Sequence, residues 1–572
     1  MRHIWKIEKP DENLVRKIAD ELNLDSLLSH CLVNRGFSSA QAAEEFLSPK
    51  LSDLAPPELI PNLSLAVNRL FKARELKQKV VIFGDYDVDG ITSATILLDS
   101  MQELGWDMCA YLPDRIEEGY GLTFEGVDNC VEQHNPNLLV AADCGSTSVE
   151  VIEKLQGQGV DVIVLDHHQI SDPPPKPVAL VNPQLNSNNS NAFHELCTAG
   201  LAFKLVHGLI KKGRNNGESA FKEYDIKLLL DLVALGTIAD LVPLVGENRI
   251  LAVEGLEQIN RTERIGLNAL ISESDIKGPI GSFEVGFQLG PRLNAAGRLK
   301  SAMASLDLLT SSEQDIASGL AGLLDRQNRE RQRVEKDITQ QVMDRLSTQF
   351  DPVNDYAIVE GDPDWNIGVV GIVASRVQKE FYRPTFILGG SPDGMRGSGR
   401  SIKGFDLAAA LRQCADVINR HGGHAMAAGV SLDPENINLF RKRLNETARS
   451  NIGESELTPT LRLDGTIPLI KLSFNTVTSL EALLPVGQGV PAVQLAVTDL
   501  ELDAPVRWMG TEKQHAKFNV TDGNATVEVV YWNALGKSMP EGRFNLAAQP
   551  SINVWRGKKS IQLKMLDWKP SE

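Results

Sequence analysis

Acidic residues stand directly after short apolar runs in the first half of the sequence. The runs and the polar residues that follow them are Val80–Phe83 with Asp85, Asp87 and Asp89, Leu138–Ala142 with Asp143, and Val162–Leu165 with Asp166, His167 and His168. Apolar runs that alternate with amphipathic helices predict a parallel sheet covered on both faces. Ligands collect at the carboxyl ends of such strands, so we expect these side chains to lie close together. A further carboxylate, Asp240, follows the run Gly236–Ala239.

Each of these motifs also has an ordinary structural interpretation. The loop Asp85–Gly90, with aspartates at alternate positions, resembles a calcium-binding loop or a solvated turn. An EF-hand requires a glutamate at its twelfth position, where this sequence has Ile96, and a helix where a strand is predicted. Taken singly, Asp143 could cap a helix, Asp240 could be a buried hydrogen-bonded residue, and His167-His168 could be an unremarkable pair.

The combination of these groups predicts a metal centre. Five or six carboxylates at one edge of a sheet repel one another strongly unless cations neutralise them. Oxygen ligands with one imidazole suit Mg²⁺ or, better, Mn²⁺. Two such ions about 4 Å apart can polarise a phosphate, generate hydroxide near neutral pH and stabilise the leaving oxygen. The sequence therefore predicts a phosphodiesterase that uses two divalent metal ions, Mn²⁺ or Mg²⁺.

A family resemblance agrees with this prediction. The run Val81–Ser93, followed by Asp166-His167-His168, resembles the DHH phosphoesterases. Within that family the chain, from about Arg35 onward, is similar to the bacterial exonucleases that degrade single-stranded DNA from the 5′ end. The resemblance implies the same activity, with single-stranded DNA as the substrate.

The resemblance also implies roles for individual residues. The implied ligands are Asp85 and Asp87 for one metal, Asp89, His167 and Asp240 for the other, and Asp143 as a bridge between them. His168 would donate to the scissile phosphate, and Asp166 would orient the imidazoles from behind. The expected catalytic residues are therefore Asp143, His168 and Asp166.

Two segments of the first domain are expected to hold the substrate. Arg115 lies in Tyr111–Gly121, which matches the family, and a guanidinium suits a 5′-phosphate. From the residues alone, a surface arginine paired with a neighbouring glutamate explains it better. In Gly290–Arg298, either Arg292 or Arg298 could contact the strand backbone, or either could anchor the connecting helix.

The second α/β domain carries two small-residue motifs. Gly397–Ser401 and His421–Gly429 match the DHHA1-type accessory domain that accompanies DHH domains. Ser398, Arg400 and His424 would form a phosphate cradle there. Without the second motif, Gly397–Ser401 would be interpreted as a turn.

Two positions depart from the family pattern. Asn366 stands where relatives usually carry histidine, and Val490 stands where they usually carry asparagine. Neither is an expected metal ligand. We therefore expect the chemistry to be retained while details of substrate contact differ.

The C-terminal stretch alternates like a set of short strands, as in Val527–Tyr531, and has no long helix pattern. These features favour a small β-barrel or sandwich. By resemblance it is an OB-fold, which binds single strands through basic and aromatic side chains. Ile552–Leu563 supplies both, with Trp555 and Arg556 as candidate contacts. The alternative is that Trp555 belongs to the core and the charges form a solvated hairpin.

The predicted fold class is α/β and multidomain. The expected domains are an N-terminal helical cap at 1–75, a parallel-sheet DHH domain at 76–302, a connecting helix at 303–349, a second α/β domain of DHHA1 type at 350–455, and an OB-like β-barrel at 456–572.

Composition gives weaker constraints. The net charge of −17 argues mildly against nucleic-acid binding, so local basic patches must decide. The six cysteines form no Cys-x-x-Cys pair, which favours a reducing cytoplasm. The first residues lack the apolar core of a signal peptide, and the apolar stretch Leu228–Val245 is interrupted by two aspartates, so no membrane association is expected.

The expected function is hydrolysis of single-stranded DNA in repair and recombination. The resemblance implies a monomer that cooperates with a RecQ-type helicase and a single-strand-binding protein. One alternative is a DHH phosphodiesterase of short oligonucleotides or cyclic dinucleotides, although such enzymes are usually shorter and lack the barrel. Another is a non-catalytic replication scaffold, against which the complete ligand set argues.

Overall fold

The computed structural model describes residues 3–114, 118–119, 121–185, 192–299, 302–391 and 394–571. The chain divides into two compact units, and each is described by itself. One consists of residues 44–329 and 483–491, and the other of residues 1–43, 330–482 and 492–572. We name the parallel β-sheet of the first unit sheet B, and we call the two units the sheet-B unit and the barrel unit.

A parallel sheet lies at the centre of the sheet-B unit. In spatial order its described strands are Met108–Tyr111, Val80–Gly84, Leu138–Ala142, Asp161–Leu165 and Ala179–Val181. All neighbouring pairs are parallel. Both Val80–Gly84 and Leu138–Ala142 are buried along their whole length, as continuous apolar runs predict.

Helices cover this sheet and extend beyond it. The described helices of the sheet-B unit are Leu63–Glu75, Val88–Glu103, Phe124–His134, Val149–Gly157, Thr198–Asn215, Ser219–Glu223, Leu230–Ala239, Gly246–Ile259, Ile265–Glu273, Ser282–Glu284, Gly290–Leu299 and Met303–Thr310, with Ala40–Leu47 at its border. A π-helical turn, Val285–Leu289, joins two of them. Val88–Glu103 is buried on nearly every face, because it packs against the sheet and against further helices.

The expected connecting helix is interrupted. Helix Met303–Thr310 ends before Ser311, and the long helix Gln314–Gln349 begins three residues later. Ser311 has an extended backbone, and its hydroxyl accepts a hydrogen bond from the N–H of Glu313. Such local bonds compete with helix formation, so the helical sequence pattern at 303–349 gives two helices rather than one.

The barrel unit contains a second α/β sheet. In spatial order its described strands are Arg420–Gly423, Ala427–Leu432, Gly394–Arg400, Thr385–Ser391 and Ile358–Asp362. Only the last two pair in parallel. The accompanying helices are Val370–Phe381, Leu407–Gln413 and Ile437–Asn451.

The C-terminal part of the chain forms the expected barrel. In spatial order its described strands are Gly465–Pro468, Leu495–Leu502, Phe544–Trp555, Lys558–Pro570, Thr526–Tyr531, His515–Thr521 and Arg507–Met509. An additional pairing of Leu495–Leu502 with His515–Thr521 closes the sheet on itself. One short helix, Phe474–Ser479, precedes the closed part. The predicted multidomain α/β fold with an OB-like barrel is confirmed.

The predicted N-terminal cap is divided between the units. Strand Ile4–Ile7 pairs in parallel with Thr460–Leu463, and helices Glu12–Leu22 and Ser26–Asn34 follow it in the barrel unit. The helix Leu63–Glu75 belongs to the sheet-B unit. The domain limits given above stay predictions. No helix in the described part of the chain has the length and apolar character needed to cross a membrane.

Candidate active site

The structure gathers the predicted polar residues at the carboxyl ends of the parallel strands. The first residue after each of three strands donates its backbone N–H to the neighbouring strand: Asp85 to Ala142, Asp143 to Leu165, and Asp166 to Val181. This ladder fixes the three aspartates side by side. Their side chains are buried, each about 1% exposed, although carboxylates rarely leave water without a partner.

Three overlapping groups of side chains could each hold a cation. Within a group, the potential ligand atoms all lie within 4.8 Å of one another. The groups are Asp85, Asp87 and Asp143; Asp89, His167 and Asp240; and Asp143, His167 and His168. The first two match the ligand sets that the family resemblance implies for the two metals. Asp143 belongs to the first group, and its Oδ1 lies 3.5 Å from Nε2 of His167 in the second, so it stands beside both sets.

The loop after the first strand is shaped by tight backbone packing. Asp87 caps helix Val88–Glu103, since its Oδ1 accepts hydrogen bonds from the N–H groups of Asp89 and Gly90. A Cβ atom on Gly90 would lie 2.4 Å from the carbonyl oxygen of Asp85, so this position requires glycine. Asp87 thus caps the helix with one oxygen, and its carboxylate is also one of the potential cation ligands.

A second helix N-terminus holds Asp89 and Asp143. The backbone N–H of Thr198 donates to Asp89 Oδ2 at 2.7 Å, and that of Ala199 donates to Asp89 Oδ1 at 2.8 Å. The Thr198 hydroxyl donates to Asp143 Oδ1 at 2.9 Å. Thr198 was not among the residues predicted from the sequence. Its place at the first turn of an amphipathic helix was the available signal, but nothing in the sequence connects it to the aspartates.

Asp143 itself has a left-handed backbone, with φ of 65°. A residue other than glycine in this region costs roughly 1–2 kcal/mol, less for aspartate than for most. Such positions concentrate at functional sites. The turn directs the Asp143 carboxylate to the Thr198 hydroxyl and to within 3.5 Å of His167 Nε2.

His167 faces the carboxylates, and burial lowers its pKa despite their charge. Its Nε2 lies 3.5 Å from Asp240 Oδ2 and 3.8 Å from Asp89 Oδ2. No described residue forms a hydrogen bond with this buried nitrogen. A neutral imidazole nitrogen that faces three carboxylates without a donor or acceptor is suited to a metal ion.

His168 points to a different partner. Its Nδ1 is hydrogen-bonded to Asp166 Oδ1 at 2.8 Å. Burial lowers the pKa of His168, but Asp166 outweighs burial and raises it to about 9. For Asp166 the directions are reversed. Burial raises the pKa of Asp166, but the hydrogen bonds from His168 and Ser146 outweigh burial and lower the pKa to about 2. His168 is therefore a cation and Asp166 an anion near neutral pH.

Asn182 supports the pair of His168 and Asp166, and it too was not among the residues predicted from the sequence. Its Nδ2 donates to the carbonyl oxygen of His168 at 2.9 Å and to the hydroxyl of Ser146 at 2.8 Å. The Ser146 N–H in turn donates to Asp166 Oδ2. Asn182, Ser146 and Asp166 are buried, and together they hold the backbone and the ring of His168.

The electrostatics of the cluster call for cations. Burial, followed by repulsion from Asp89, raises the pKa of Asp240 to about 9. The same two causes raise the pKa of Asp87 and, more strongly, that of Asp143. Carboxylates that resist ionisation because of one another gain most from a bound positive charge. The donor set of oxygens with one free imidazole nitrogen fits Mn²⁺ or Mg²⁺.

The segment Gly290–Arg298 packs against the loop Asp85–Gly90. Asn294 Oδ1 accepts a hydrogen bond from the N–H of Val88, and a Cβ atom on Gly297 would lie 2.8 Å from the carbonyl oxygen of Tyr86. Arg292 pairs with Asp325 of the long helix at 3.0 Å and donates to the carbonyl of Gln288. This ion pair fits the alternative that Arg292 anchors the helix, and its substrate contact stays a prediction. Arg298 is partly buried at the end of this segment.

The other predicted phosphate-binding residues lie in different places. Arg115 falls outside the described residues. In the barrel unit, the Arg400 guanidinium donates to the Ser398 hydroxyl at 2.8 Å. A Cβ atom on Gly371 would lie 3.0 Å from Ser398 Oγ and 3.1 Å from Arg400 Nη2, so the first turn of helix Val370–Phe381 borders this pair. His424 is exposed on the strand-connecting segment of the same sheet.

The two positions that depart from the family have structural roles. Asn366 Oδ1 accepts a hydrogen bond from the N–H of Gly368, just before helix Val370–Phe381. Val490 is buried, with 2% of its surface exposed. In the barrel, Trp555 is 70% exposed and lies beside the Arg556 guanidinium, so the interpretation of Trp555 as a core residue is wrong.

Comparisons with known proteins agree with this architecture. Family models match at three places: the DHH family N-terminal domain at residues 79–237, the DHHA1 domain at 354–450, and the RecJ OB domain at 463–567. A curated relative, the single-stranded-DNA-specific exonuclease RecJ of Bacillus subtilis, is 36% identical over 99% of this chain and 71% of its own length. RecJ of Haemophilus influenzae is 33% identical over 94% of this chain and 96% of its own length.

The chain belongs to the RecJ family.

Solved RecJ structures agree with this assignment. The crystal structure of Thermus thermophilus RecJ in complex with Mn²⁺ matches all of this chain and 80% of that chain, at 29% identity and a TM-score of 0.84. A structure of exonuclease RecJ bound to manganese covers 70% of this chain and all of its own, at 33% identity and a TM-score of 0.60. The predicted family is thereby confirmed.

Proposed function

We propose that this RecJ-family protein is a metal-dependent exonuclease that hydrolyses single-stranded DNA from the 5′ end by a two-metal mechanism. The observation that carries the proposal is the complete cluster of Asp85, Asp87, Asp89, Asp143, His167 and Asp240. The relatives named as single-stranded-DNA-specific exonucleases, and RecJ structures with Mn²⁺, support the substrate and the metal. The 5′ direction rests on the family resemblance.

Two metal sites share the cluster. Asp85 and Asp87 would hold one ion, and Asp89, His167 and Asp240 the other, with Asp143 between them. Divalent cations bound there would neutralise charge on the scissile phosphate and supply a nucleophilic water near neutral pH.

The chain's own side chains complete the chemistry. His168, kept protonated by Asp166, donates a hydrogen bond to a phosphate oxygen as negative charge develops on it. Asn182 and Ser146 hold that pair, so the donor is positioned before substrate arrives. In the barrel unit, Ser398 and Arg400 bind a phosphate of the strand, with His424 at the edge of the same sheet. Trp555 and Arg556 bind bases and backbone further along.

The setting of the enzyme is part of the proposal. A monomer acting in the cytoplasm in DNA repair and recombination, with a RecQ-type helicase and a single-strand-binding protein, follows from the family resemblance.

End-labelled oligonucleotides test the proposal. With Mn²⁺ present, a single strand labelled at its 5′ end should release labelled mononucleotide at once, while a strand labelled at its 3′ end shortens progressively. A blunt duplex of the same sequence should persist. Failure to lose the 5′ label in a metal-dependent way would refute the proposal.

Parallel reactions separate the alternatives. Rapid cleavage of dinucleotides or cyclic dinucleotides, with long strands spared, would indicate a small-substrate phosphodiesterase instead. Binding of DNA without any hydrolysis, at saturating Mn²⁺, would indicate a scaffold. Asp128→Asn removes an exposed carboxylate of the same unit and serves as the control for variants of the cluster.

A further inference from the structure

Two phenylalanines of the sheet-B unit are exposed to solvent side by side. Phe283 is 59% exposed and Phe287 is 71% exposed. Their rings are stacked, with centroids 5.0 Å apart and planes 26° apart. Large apolar side chains in a stacked pair rarely remain in water unless they bind something. We call this pair the aromatic platform.

The local backbone holds the platform outward. Phe283 lies in the short helix Ser282–Glu284, and Phe287 lies in the π-helical turn Val285–Leu289. Val285 and Leu289 on the opposite side of the turn are fully buried. The buried side fixes the segment, and the Ser282 hydroxyl ties it further by donating to the carbonyl of Val486. Short π-helical turns occur frequently at functional sites.

The platform stands next to the residues that carry the metal ligands. Gly290, three residues after Phe287, packs so closely that a Cβ atom there would lie 3.5 Å from Ala239 Cβ and 4.0 Å from Val88 Cγ2. Ala239 immediately precedes Asp240, and Val88 lies between Asp87 and Asp89. The segment that carries the platform therefore packs against the two segments that carry the expected metal ligands Asp87, Asp89 and Asp240.

We propose that the aromatic platform binds a nucleobase of the single strand by stacking. The proposal rests on the proposed function and adds a reason for the preference for single strands. In a duplex the flat faces of the bases are covered by neighbouring pairs, whereas an unpaired, unstacked base offers a free face to an aromatic ring. Phenylalanine has no hydrogen-bonding groups, so the platform accepts any of the four bases.

A substrate lacking bases provides the decisive comparison. Single strands with a block of abasic tetrahydrofuran nucleotides near the 5′ end keep the phosphates but offer no ring to stack on. Loss of one stacked base weakens binding by about tenfold or more. Phe287→Ala should therefore raise KM at least about tenfold on the normal strand and leave KM on the abasic strand unchanged.

Matched variants isolate the ring face from apolar area. Phe287→Leu keeps an apolar side chain without the ring and should behave like Phe287→Ala. Phe287→Trp should retain wild-type KM, and Phe283→Leu should weaken binding to a smaller extent. Leu228→Ala removes an apolar side chain that is 56% exposed in the same unit and should have no effect. The thermal midpoint with Mn²⁺ verifies that each variant is folded.

The outcomes separate the platform from the overall function. Equal losses on normal and abasic strands, or wild-type behaviour of Phe287→Leu, would overturn the stacking role. Unchanged KM in Phe287→Ala would overturn it as well and would leave the surface to another protein. If the wild-type enzyme itself fails to digest single strands, the proposed function fails first, which the same experiment detects.

Discussion

The two α/β sheets of this protein place opposite charges at the residues expected to meet the substrate. In the sheet-B unit, Asp85, Asp143 and Asp166 follow three adjacent parallel strands and are buried. In the barrel unit, Ser398 and Arg400 lie on a single strand of a mainly antiparallel sheet, bordered by a helix N-terminus. Both arrangements combine strands with a helix start, yet one suits cations and the other suits anions.

The difference lies in where the backbone N–H groups point. At Asp87 and Asp89, N–H groups from helix starts are already engaged by carboxylates, so the site gains from additional positive charge. At Ser398 and Arg400, the helix start stands beside a hydroxyl and a guanidinium, all of which favour a phosphate oxygen. In the proposed function, the first sheet would therefore hold the metals and the second would hold the DNA strand.

Removal of the shared carboxylate should have the largest effect. Asp143→Asn keeps the shape but eliminates the bridging charge, and activity should fall by about 10³-fold or more, since metal ions supply several kcal/mol of charge stabilisation. Without metal, the variant should melt at a higher temperature than wild type, because repulsion within the cluster is relieved. A nuclease assay with Mn²⁺ measures the loss of activity, and differential scanning fluorimetry without metal measures the melting temperature. Retained turnover would contradict the bridging role.

Metal affinity should depend strongly on pH. The pKa of Asp240 is raised to about 9, so the metal-free cluster holds protons at neutral pH that a cation must displace. Mn²⁺ affinity should therefore rise between pH 6 and 8.5, by up to about tenfold per pH unit for each proton released. Calorimetric titration in buffers of different ionisation enthalpy counts those protons. A flat profile would show that the cluster is ionised without metal.

The stability of the metal-free protein should show the opposite trend. A carboxyl whose pKa is higher in the folded state binds more protons when folded, so stability falls as pH rises between its unfolded and folded pKa values. For Asp240 that window extends from about 4 to about 9. His168, with a pKa raised to about 9, adds a loss as pH rises from its ordinary value. Saturating Mn²⁺ should abolish the contribution of Asp240.

Removal of the Arg400 charge in the second sheet should weaken substrate binding without changing metal affinity. Arg400→Gln removes the cationic donor, and KM for a 5′-phosphorylated strand should rise about 10- to 100-fold, the value of a charged hydrogen bond. Mn²⁺ affinity should be unchanged. Arg412→Gln, an exposed arginine of the same sheet domain, is the matched control. An equal effect of both variants would mean that only general charge attraction is involved.

The smallest expected effect comes from loss of the Thr198 hydroxyl, which donates a hydrogen bond to Asp143. Thr198→Val deletes the hydrogen bond to Asp143 while preserving side-chain shape, and Mn²⁺ affinity should fall about tenfold. Thr198→Ser restores the donor and should recover affinity. Titration monitored by the electron paramagnetic resonance of free Mn²⁺ gives the constants. Equal affinity in the valine and serine variants would limit Thr198 to packing.

The metal cluster could be predicted from sequence because it obeys a local rule. Each acidic motif stands immediately after an apolar run, and parallel strands place such positions at one edge. The assignment of motifs to a family supplied the expected partition between two metals. The barrel was likewise visible from strand alternation, as in Val527–Tyr531.

Residues that act across long sequence separations escaped prediction. Thr198 and Asp143 are 55 positions apart. Asn182 and His168 are 14 positions apart, and the chain between them must fold back before the two residues can form a hydrogen bond. The ion pair of Arg292 with Asp325 likewise joins residues 33 positions apart. At the helix break, the Ser311 hydroxyl is hydrogen-bonded to the backbone of Glu313, a local contact that hydrophobic periodicity does not reveal.

The two-metal centre is tested most directly by anomalous diffraction from crystals of this protein soaked in Mn²⁺. Data collected at the manganese absorption edge should show two peaks about 4 Å apart. One peak should lie against Asp85 and Asp87, the other against Asp89, His167 and Asp240, and both against Asp143. A single peak, or two peaks that do not share Asp143, would contradict the two-metal centre.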